Sequence, residues 1–164
     1  MKPRLLMLVL LLSTGGVLSG GGLSVCDVLR GDPTKLNGSI VSVRGVIEIT
    51  DEGKWLVDDC SDHLVTQGVV WPNALWLTTD DTDERAMKSL DEMWAKLRRM
   101  HANLQRDRVW VTFTGHLRTR GSMDDEVYPG PNGRLVRVGF GHLGAAPAEI
   151  IVEKADGLVV EHKK

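Results

Sequence analysis

The chain has 164 residues, with 20 Lys and Arg against 22 Asp and Glu, a formal net charge of −2 and 42% hydrophobic residues. This length suits one domain, and the composition excludes a wholly disordered, collagen-like or disulfide-packed chain. The near-neutral charge gives no global reason to expect tight binding to nucleic acid.

The N-terminal segment has the layout of a secretory signal peptide. Lys2 and Arg4 precede the apolar run 5–12, and small residues follow. This order of charged, apolar and small residues is that of a signal peptide, and eight apolar residues are too few for a membrane span, which needs about 20. The sequence therefore predicts a signal peptide over 1–22 and an exported single domain over 23–164, periplasmic or extracellular, without a transmembrane segment.

The two cysteines, Cys26 and Cys60, are 34 positions apart. In the oxidising compartment that export implies, such a pair favours a disulfide, which would contribute about 3–4 kcal/mol. One alternative is a catalytic thiol at Cys60, with His63 nearby. The other is lipoprotein processing at Cys26, which Val25 disfavours because a lipobox has a small residue there.

Apolar and polar residues alternate with period two over 39–49 and 108–117, which predicts two long strands. Gly45 interrupts the apolar face of the first strand, and a bulge or a sharp bend is the usual reason for such a glycine. The remaining predicted elements are a short helix over 27–30, shorter strands over 54–57, 74–78, 136–140 and 149–154, and a minor strand or frayed end after Gly157.

One long helix is predicted over 83–105, where apolar residues recur at three- and four-residue spacing. Asp81 and Glu84 have the spacing of a capping box at its start. His101 falls on the apolar stripe, so we expect it to pack at the edge of the core. The following stretch 120–132 is a long polar loop rich in Gly and Pro, and loops of this length are often functional.

The order of elements is three strands, a helix and two strands, which resembles the OB-fold over roughly 36–155. The chain is also similar to a group of small exported bacterial OB-fold-like proteins of uncharacterised function. The matching segments are 25–29, 41–45, 59–60 and 139–144. The resemblance implies a mainly β fold with one long helix, arranged as a five-stranded Greek-key barrel with the helix between strands three and four. A different β barrel or a small sandwich is the alternative, and the resemblance implies no activity.

Histidines and acids are the first candidates for chemistry. His63, His116 and His142 together with the acids of 58–62 would be the ligands of a metal site, but they lack a closely spaced pair of ligands. The chain has no nucleophile elbow, and the glycines at 139, 141 and 144 are typical of turns because no βαβ helix follows them. We therefore predict no metal, cofactor or catalytic residue.

Charge is distributed unevenly along the chain. Residues 48–92 hold 12 acids and three bases, whereas residues 96–137 hold nine bases and four acids. In an OB-fold, a basic groove with aromatic side chains binds single-stranded nucleic acid or acidic glycans. The interpretation that we favour is that the two blocks lie against each other and neutralise, because exported proteins seldom meet nucleic acid.

These patterns favour a non-enzymatic binding module for a protein, peptide or oligosaccharide. The expected surface comprises the second and third strands and the 120–132 loop, because OB-folds bind with that face. The candidate binding residues are Trp55, Trp76, Trp110, His116, Arg118, Arg120 and His142. The alternative is a periplasmic hydrolase that uses His116 and His142 with an acid of 58–62, with or without a metal.

Overall fold

The computed structural model describes residues 22–123 and 127–162. The predicted signal peptide therefore lies outside the described residues except for Gly22, and so does part of the 120–132 loop. In chain order the elements are β1 (Leu23–Ser24), α1 (Val25–Arg30), a 3-10 turn (Pro33–Leu36), β2 (Ile40–Thr50), β3 (Gly53–Val57), β4 (Val65–Thr66), β5 (Val69–Val70), β6 (Ala74–Thr79), α2 (Glu84–Arg99), β7 (Arg108–Arg118), β8 (Val127–Pro129), β9 (Leu135–Arg137), a second 3-10 turn (His142–Gly144) and β10 (Glu149–Glu161).

The main sheet has the order β1-β2-β3-β6-β10-β7, and β2 also pairs with β7, so its five longer strands close on themselves. Strands β6 and β10 are parallel, whereas the other pairs among these five are antiparallel. The period-two alternation points the apolar side chains inward, and α2 packs three of its residues into the same core. The chain is thus mainly β with one long helix, as predicted. Members of this core include Val43, Leu56, Leu75, Phe113, Leu117, Ile150, Leu90, Met93 and Leu97.

Of the two explanations offered for Gly45, a bulge or a sharp bend, the bulge is absent, and the glycine permits a close approach. The register of β2 runs without a shift along both β7 and β3. A Cβ atom at Gly45 would lie 2.8 Å from Cγ of Leu56 and 2.9 Å from Cγ2 of Val25. The glycine therefore lets β3 and α1 pack directly on the strand. The register shifts occur in β10 instead, between Val152 and Lys154 and between Asp156 and Val159.

Helix α2 begins one residue after its cap, Asp83. The carboxylate of Asp83 accepts hydrogen bonds from the backbone N–H groups of Arg85 and Ala86. The predicted capping box between Asp81 and Glu84 is therefore wrong. The signal was ambiguous because three aspartates precede the helix within four positions, and each of them is a good N-cap residue.

The helix ends at Arg99, six residues before the predicted end. His101 adopts the left-handed region with φ 53° and is exposed, so the prediction that it packs at the core edge is wrong. Leu104 still packs against the core after this turn. The apolar spacing therefore continued past the point at which the backbone left the helix.

The disulfide between Cys26 and Cys60 is confirmed, with a Cα–Cα distance of 5.4 Å. It ties α1, whose Val25, Val28 and Leu29 are buried, to the segment that follows β3. Both sulfur atoms are used in this bond, which is incompatible with a catalytic thiol at Cys60 or lipid attachment at Cys26. A disulfide of this kind is typical of proteins in an oxidising environment.

The C-terminal third differs from its prediction in two places. Strand β10 continues to Glu161 and pairs along β7. The residues after Gly157 therefore form a strand, which is one of the two expected alternatives, as the continuation of β10 and not as a frayed end. The predicted strand over 136–140 is replaced by β9, which forms a hairpin with β8. Because β8 lies within 120–132, the prediction that this whole segment is a loop is wrong. None of the helices in 22–123 and 127–162 has the length and apolar character needed to cross a membrane.

Candidate functional site

Four side chains form a row across four neighbouring strands. Trp55 of β3 pairs with Trp76 of β6, which pairs with Glu149 of β10, which pairs with Arg118 of β7. Directly opposed residues in a sheet point to the same face. This row lies on the outer face of the closed sheet, because in each strand a residue adjacent to the row is buried in the core and side chains alternate between the two faces. Those inward residues are Leu56, Leu75, Leu117 and Ile150.

The connection between β7 and β10 folds back over this row. We call its residues 139–146 the Phe140 cover. Phe140 is 6% exposed and belongs to a small apolar cluster with Trp55, Ala74 and Ala146, against which Trp76 packs. The rings of Trp55 and Trp76 meet edge to face, with centroids 4.6 Å apart. The two tryptophans thus form a second, smaller core, and Trp55 is too deeply buried to stack on a ligand.

Hydrogen bonds and glycines hold the Phe140 cover in place. Phe140 and Ala146 exchange backbone hydrogen bonds of 2.7 and 3.0 Å, and the Gly139 N–H donates to the Gly144 carbonyl at 2.9 Å. Gly141 has φ 73°, and a Cβ atom there would overlap the ring of Trp76. The chain needs glycine at this position both for its backbone conformation and for the close approach.

Two arginines lie over the ring of Phe140. The guanidinium carbons of Arg118 and Arg120 are 5.8 and 5.0 Å from the centroid of its ring. Arg118 Nη2 also lies 2.9 Å from Glu149 Oε1, and Arg120 Nε donates to the carbonyl of Gly139 at 2.9 Å. These cation–π contacts and hydrogen bonds hold both guanidinium groups beside the Phe140 cover. We call the surface formed by Arg118 and Arg120 the rim of the cover.

Glu149 is a buried carboxyl, 5% exposed, beneath these arginines. Burial raises the pKa of Glu149 above its ordinary value of 4.5, while the positive charges of Arg118 and Arg120 act in the opposite direction. The net shift is upward. Desolvation of the carboxylate therefore outweighs the attraction of the two cations.

Replacing this carboxyl by an amide should stabilise the protein at neutral pH. Because folding raises the pKa of Glu149, the folded state binds the proton more tightly, and its stability falls as pH rises above 4.5. Glu149→Gln should raise the urea midpoint at pH 7 and remove part of that fall. Urea unfolding at a series of pH values measures both effects, with Glu161→Gln as the exposed control. A lower midpoint for Glu149→Gln at pH 7 would show that the pair with Arg118 outweighs the burial.

The two candidate histidines contact different glutamates. His142, in the Phe140 cover, has its Nε2 atom 3.8 Å from Oε1 of Glu52, in the turn between β2 and β3. His116 has its Nε2 atom 3.1 Å from Oε1 of Glu153 and its Nδ1 atom 3.3 Å from the carbonyl oxygen of Gly38. Both ring nitrogens of His116 are thus engaged by the chain itself.

Asp59, one of the acids of 58–62, does not lie near His116. Asp59 pairs with Arg108 at 2.7 Å, and Arg108 is at the opposite end of β7 from His116. Arg108 and His116 are eight positions apart on this strand, a distance of about 26 Å at 3.3 Å per residue. In the part of the chain that the structure describes, no three His, Cys, Asp or Glu side chains are placed to hold a metal ion.

Trp110 belongs to the other end of β7, away from the Phe140 cover. Its ring is contacted by the guanidinium groups of Arg44 at 5.6 Å and Arg108 at 4.8 Å. Its indole N–H is buried without a hydrogen-bond partner.

The structure brings together most of the other predicted site residues. His116 lies two positions from Arg118 along β7. The assembled set is Trp55, Trp76, Arg118, Arg120 and His142.

Sequence reasoning missed Phe140, Glu149 and Glu52. The available signal for Phe140 was its position between Gly139 and Gly141. A large ring flanked by glycines indicates a backbone that lies close to another surface, with the ring closing onto it. No local signal marked Glu149, because its burial depends on a segment that packs on it from outside the strand.

Comparisons of the chain with protein-family models, curated proteins and solved structures find no match. The function is therefore inferred from the geometry of the Phe140 cover and its surroundings.

Proposed function

We propose that this chain is an exported OB-fold binding module for a protein, peptide or oligosaccharide, and that it binds at the rim of the Phe140 cover. The order of the closed strands supports the OB-fold. If β2, β3, β6, β7 and β10 are barrel strands one to five, their spatial order is one, two, three, five, four and back to one, with strands three and five parallel. Helix α2 lies between strands three and four, as the resemblance implies.

The position of the rim supports binding there. OB-folds bind ligands with the face of strands two and three and with the loops that join strands one to two and four to five. Here both loops meet on that face. The contact between Glu52 and His142 joins them, and Phe140 is seated on Trp55 and Trp76 of strands two and three. This convergence is the observation that carries the proposal.

The chemistry of the rim favours a ligand with an anionic group. The side chain of Arg118 is 55% exposed, and Arg120 is also exposed. Guanidinium groups bind carboxylate or sulfate through charge-assisted hydrogen bonds. Because Trp55 is buried beneath the cover, a ligand is expected to contact the cover and the arginines rather than stack on this ring.

Charge removal at the rim tests the proposal. Arg118→Gln with Arg120→Gln should weaken binding of an anionic probe at least tenfold, because two charge-assisted hydrogen bonds are lost. Calorimetric titration of the mature chain with hexaglutamate and with a heparin hexasaccharide measures this. Arg98→Gln with Arg99→Gln, on the exposed end of α2, is the matched control.

Equal weakening by the two double variants would place binding outside the rim. Failure of both probes to bind the unmodified chain would contradict the anionic ligand class. Weakening of hexaglutamate alone would assign the site to a protein or peptide, and weakening of the heparin fragment alone would assign it to an oligosaccharide.

A further inference from the structure

The chain contains two Asn-Gly pairs, Asn37-Gly38 and Asn132-Gly133. In such a pair the backbone nitrogen of the glycine can attack the side-chain amide carbon of the asparagine. A five-membered succinimide ring forms, the bond to the amide nitrogen breaks, and ammonia leaves with the proton of the backbone N–H. Water then opens the ring to aspartate or isoaspartate. Glycine favours the attack because it has no side chain to obstruct the approach and its backbone is free to turn.

The first pair is held against the end of β7. The Oδ1 atom of Asn37 accepts a hydrogen bond from the backbone N–H of Thr119 at 2.9 Å, and the N–H of Gly38 donates to the carbonyl of Leu117 at 2.8 Å. The N–H of Leu117 in turn donates to the carbonyl of Ser39 at 3.0 Å. The attacking nitrogen and the attacked amide are therefore both bonded to β7, and these bonds must break before the ring can close.

The second pair lies at the tip of the β8–β9 hairpin. Asn132 is exposed, and no group in the described part of the chain hydrogen-bonds its side-chain amide. The N–H of Gly133 donates to the carbonyl of Gly130 at 3.0 Å, which is a bond within the tip itself. Strands β8 and β9 form a separate two-stranded sheet of three residue pairs. Because a two-stranded hairpin is only marginally stable, its tip opens at a lower free-energy cost than the end of the main sheet.

We propose that Asn132 is a site of spontaneous deamidation in the folded chain, and that the contacts with β7 protect Asn37 from the same reaction. The reaction consumes water and releases ammonia, and it needs no oxidant or enzyme. Its product places a new carboxylate at the hairpin tip, two positions before Arg134. The isoaspartate form also lengthens the backbone of the tip by one carbon. This inference is independent of the proposed function, because neither asparagine belongs to the rim.

Peptide mass spectrometry during incubation of the folded mature chain at mildly alkaline pH tests the proposal. Trypsin cleaves after Lys and Arg, so it releases Asn37 in peptide 36–44 and Asn132 in peptide 121–134. Deamidation makes a peptide one mass unit heavier. Peptide 121–134 should gain this mass about tenfold or more faster than peptide 36–44, because Asn37 must first break two hydrogen bonds to the main sheet. A sample digested before incubation gives the background from the digestion.

The chain unfolded in guanidinium chloride with a reductant is the matched control, because it keeps both Asn-Gly pairs and loses the contacts of Asn37 with β7. Both peptides should then gain mass at similar rates, and peptide 121–134 should gain it about as fast as in the folded chain. Asn132→Gln keeps an amide but would need a larger ring, so the gain in peptide 121–134 should disappear.

Equal rates for the two peptides in the folded chain would overturn the protection of Asn37. A difference that persists in the unfolded chain would also overturn it, because the local sequence would then be the cause. If folding slows the gain in peptide 121–134 as strongly as in peptide 36–44, or if Asn132→Gln retains the gain, the assignment of Asn132 is wrong.

Discussion

Replacing both disulfide cysteines by alanine, Cys26→Ala with Cys60→Ala, should lower the free energy of unfolding by about 3–4 kcal/mol. The bond closes a loop with a sequence separation of 34, and its removal restores the freedom of that loop in the unfolded chain. The bond also holds α1 in place, where Val25, Val28 and Leu29 fill part of the core. Urea unfolding followed by tryptophan fluorescence gives the free energy of both forms.

Reduction supplies the control for this experiment. Adding a reductant should lower the urea midpoint of the original chain toward that of the double variant, and it should leave the double variant unchanged. Equal midpoints for the two oxidised samples would show that the bond does not constrain the unfolded chain. Two reactive thiols in the denatured, unreduced protein would contradict the bond between Cys26 and Cys60 itself.

The parts of the fold that the sequence predicts well are those that depend on local pattern. Strand β7 alternates over about ten positions, and β2 alternates from Ile40 to Gly45 before Val46 breaks the pattern. Patterns of this length leave little choice of conformation. The partners of the disulfide were also determined by the sequence, because two cysteines allow only one intramolecular pairing. The order of elements along the chain then limits the ways in which they can be connected.

The elements that were missed depend on contacts between distant residues. The stripe of α2 continues to Leu104, but the helix ends at Arg99 and the chain turns at His101, so Leu104 reaches the core from outside the helix. Trp55 and Trp76 are on the expected strands, yet their exposure is decided by Phe140, which is more than 60 positions further along the chain. A single sequence carries no local signal for such packing.

The fold pairs the basic block with the acidic block only in part. Arg108 of the basic block pairs with Asp59 of the acidic block, as neutralisation between the blocks requires. Arg118 pairs instead with Glu149, which belongs to neither block. Arginines of the basic block therefore also serve the Phe140 cover, where Arg118 and Arg120 contact the ring of Phe140.

Removing the ring that seats the cover should have the second-largest effect on stability. Phe140→Ala should lower the free energy of unfolding by about 3 kcal/mol, because a buried ring is lost and the small cluster with Trp55 and Trp76 keeps a cavity. Acrylamide should then quench tryptophan fluorescence more strongly, since both indoles lose their cover. Binding of an anionic probe should also weaken, because Arg118 and Arg120 lose the ring that positions them.

Two further variants separate the seating of the cover from a general effect of losing an aromatic side chain. Phe140→Leu keeps an apolar side chain in the cluster and should retain most of the stability and the low quenching. Tyr128→Ala removes a 48% exposed ring from the same connection and should change the free energy of unfolding by less than about 0.5 kcal/mol. If Phe140→Ala behaves like Tyr128→Ala in both measurements, the cover is not seated on the strands in solution. The rim would then lose the contact that fixes its arginines, and the proposed binding surface would fail with it.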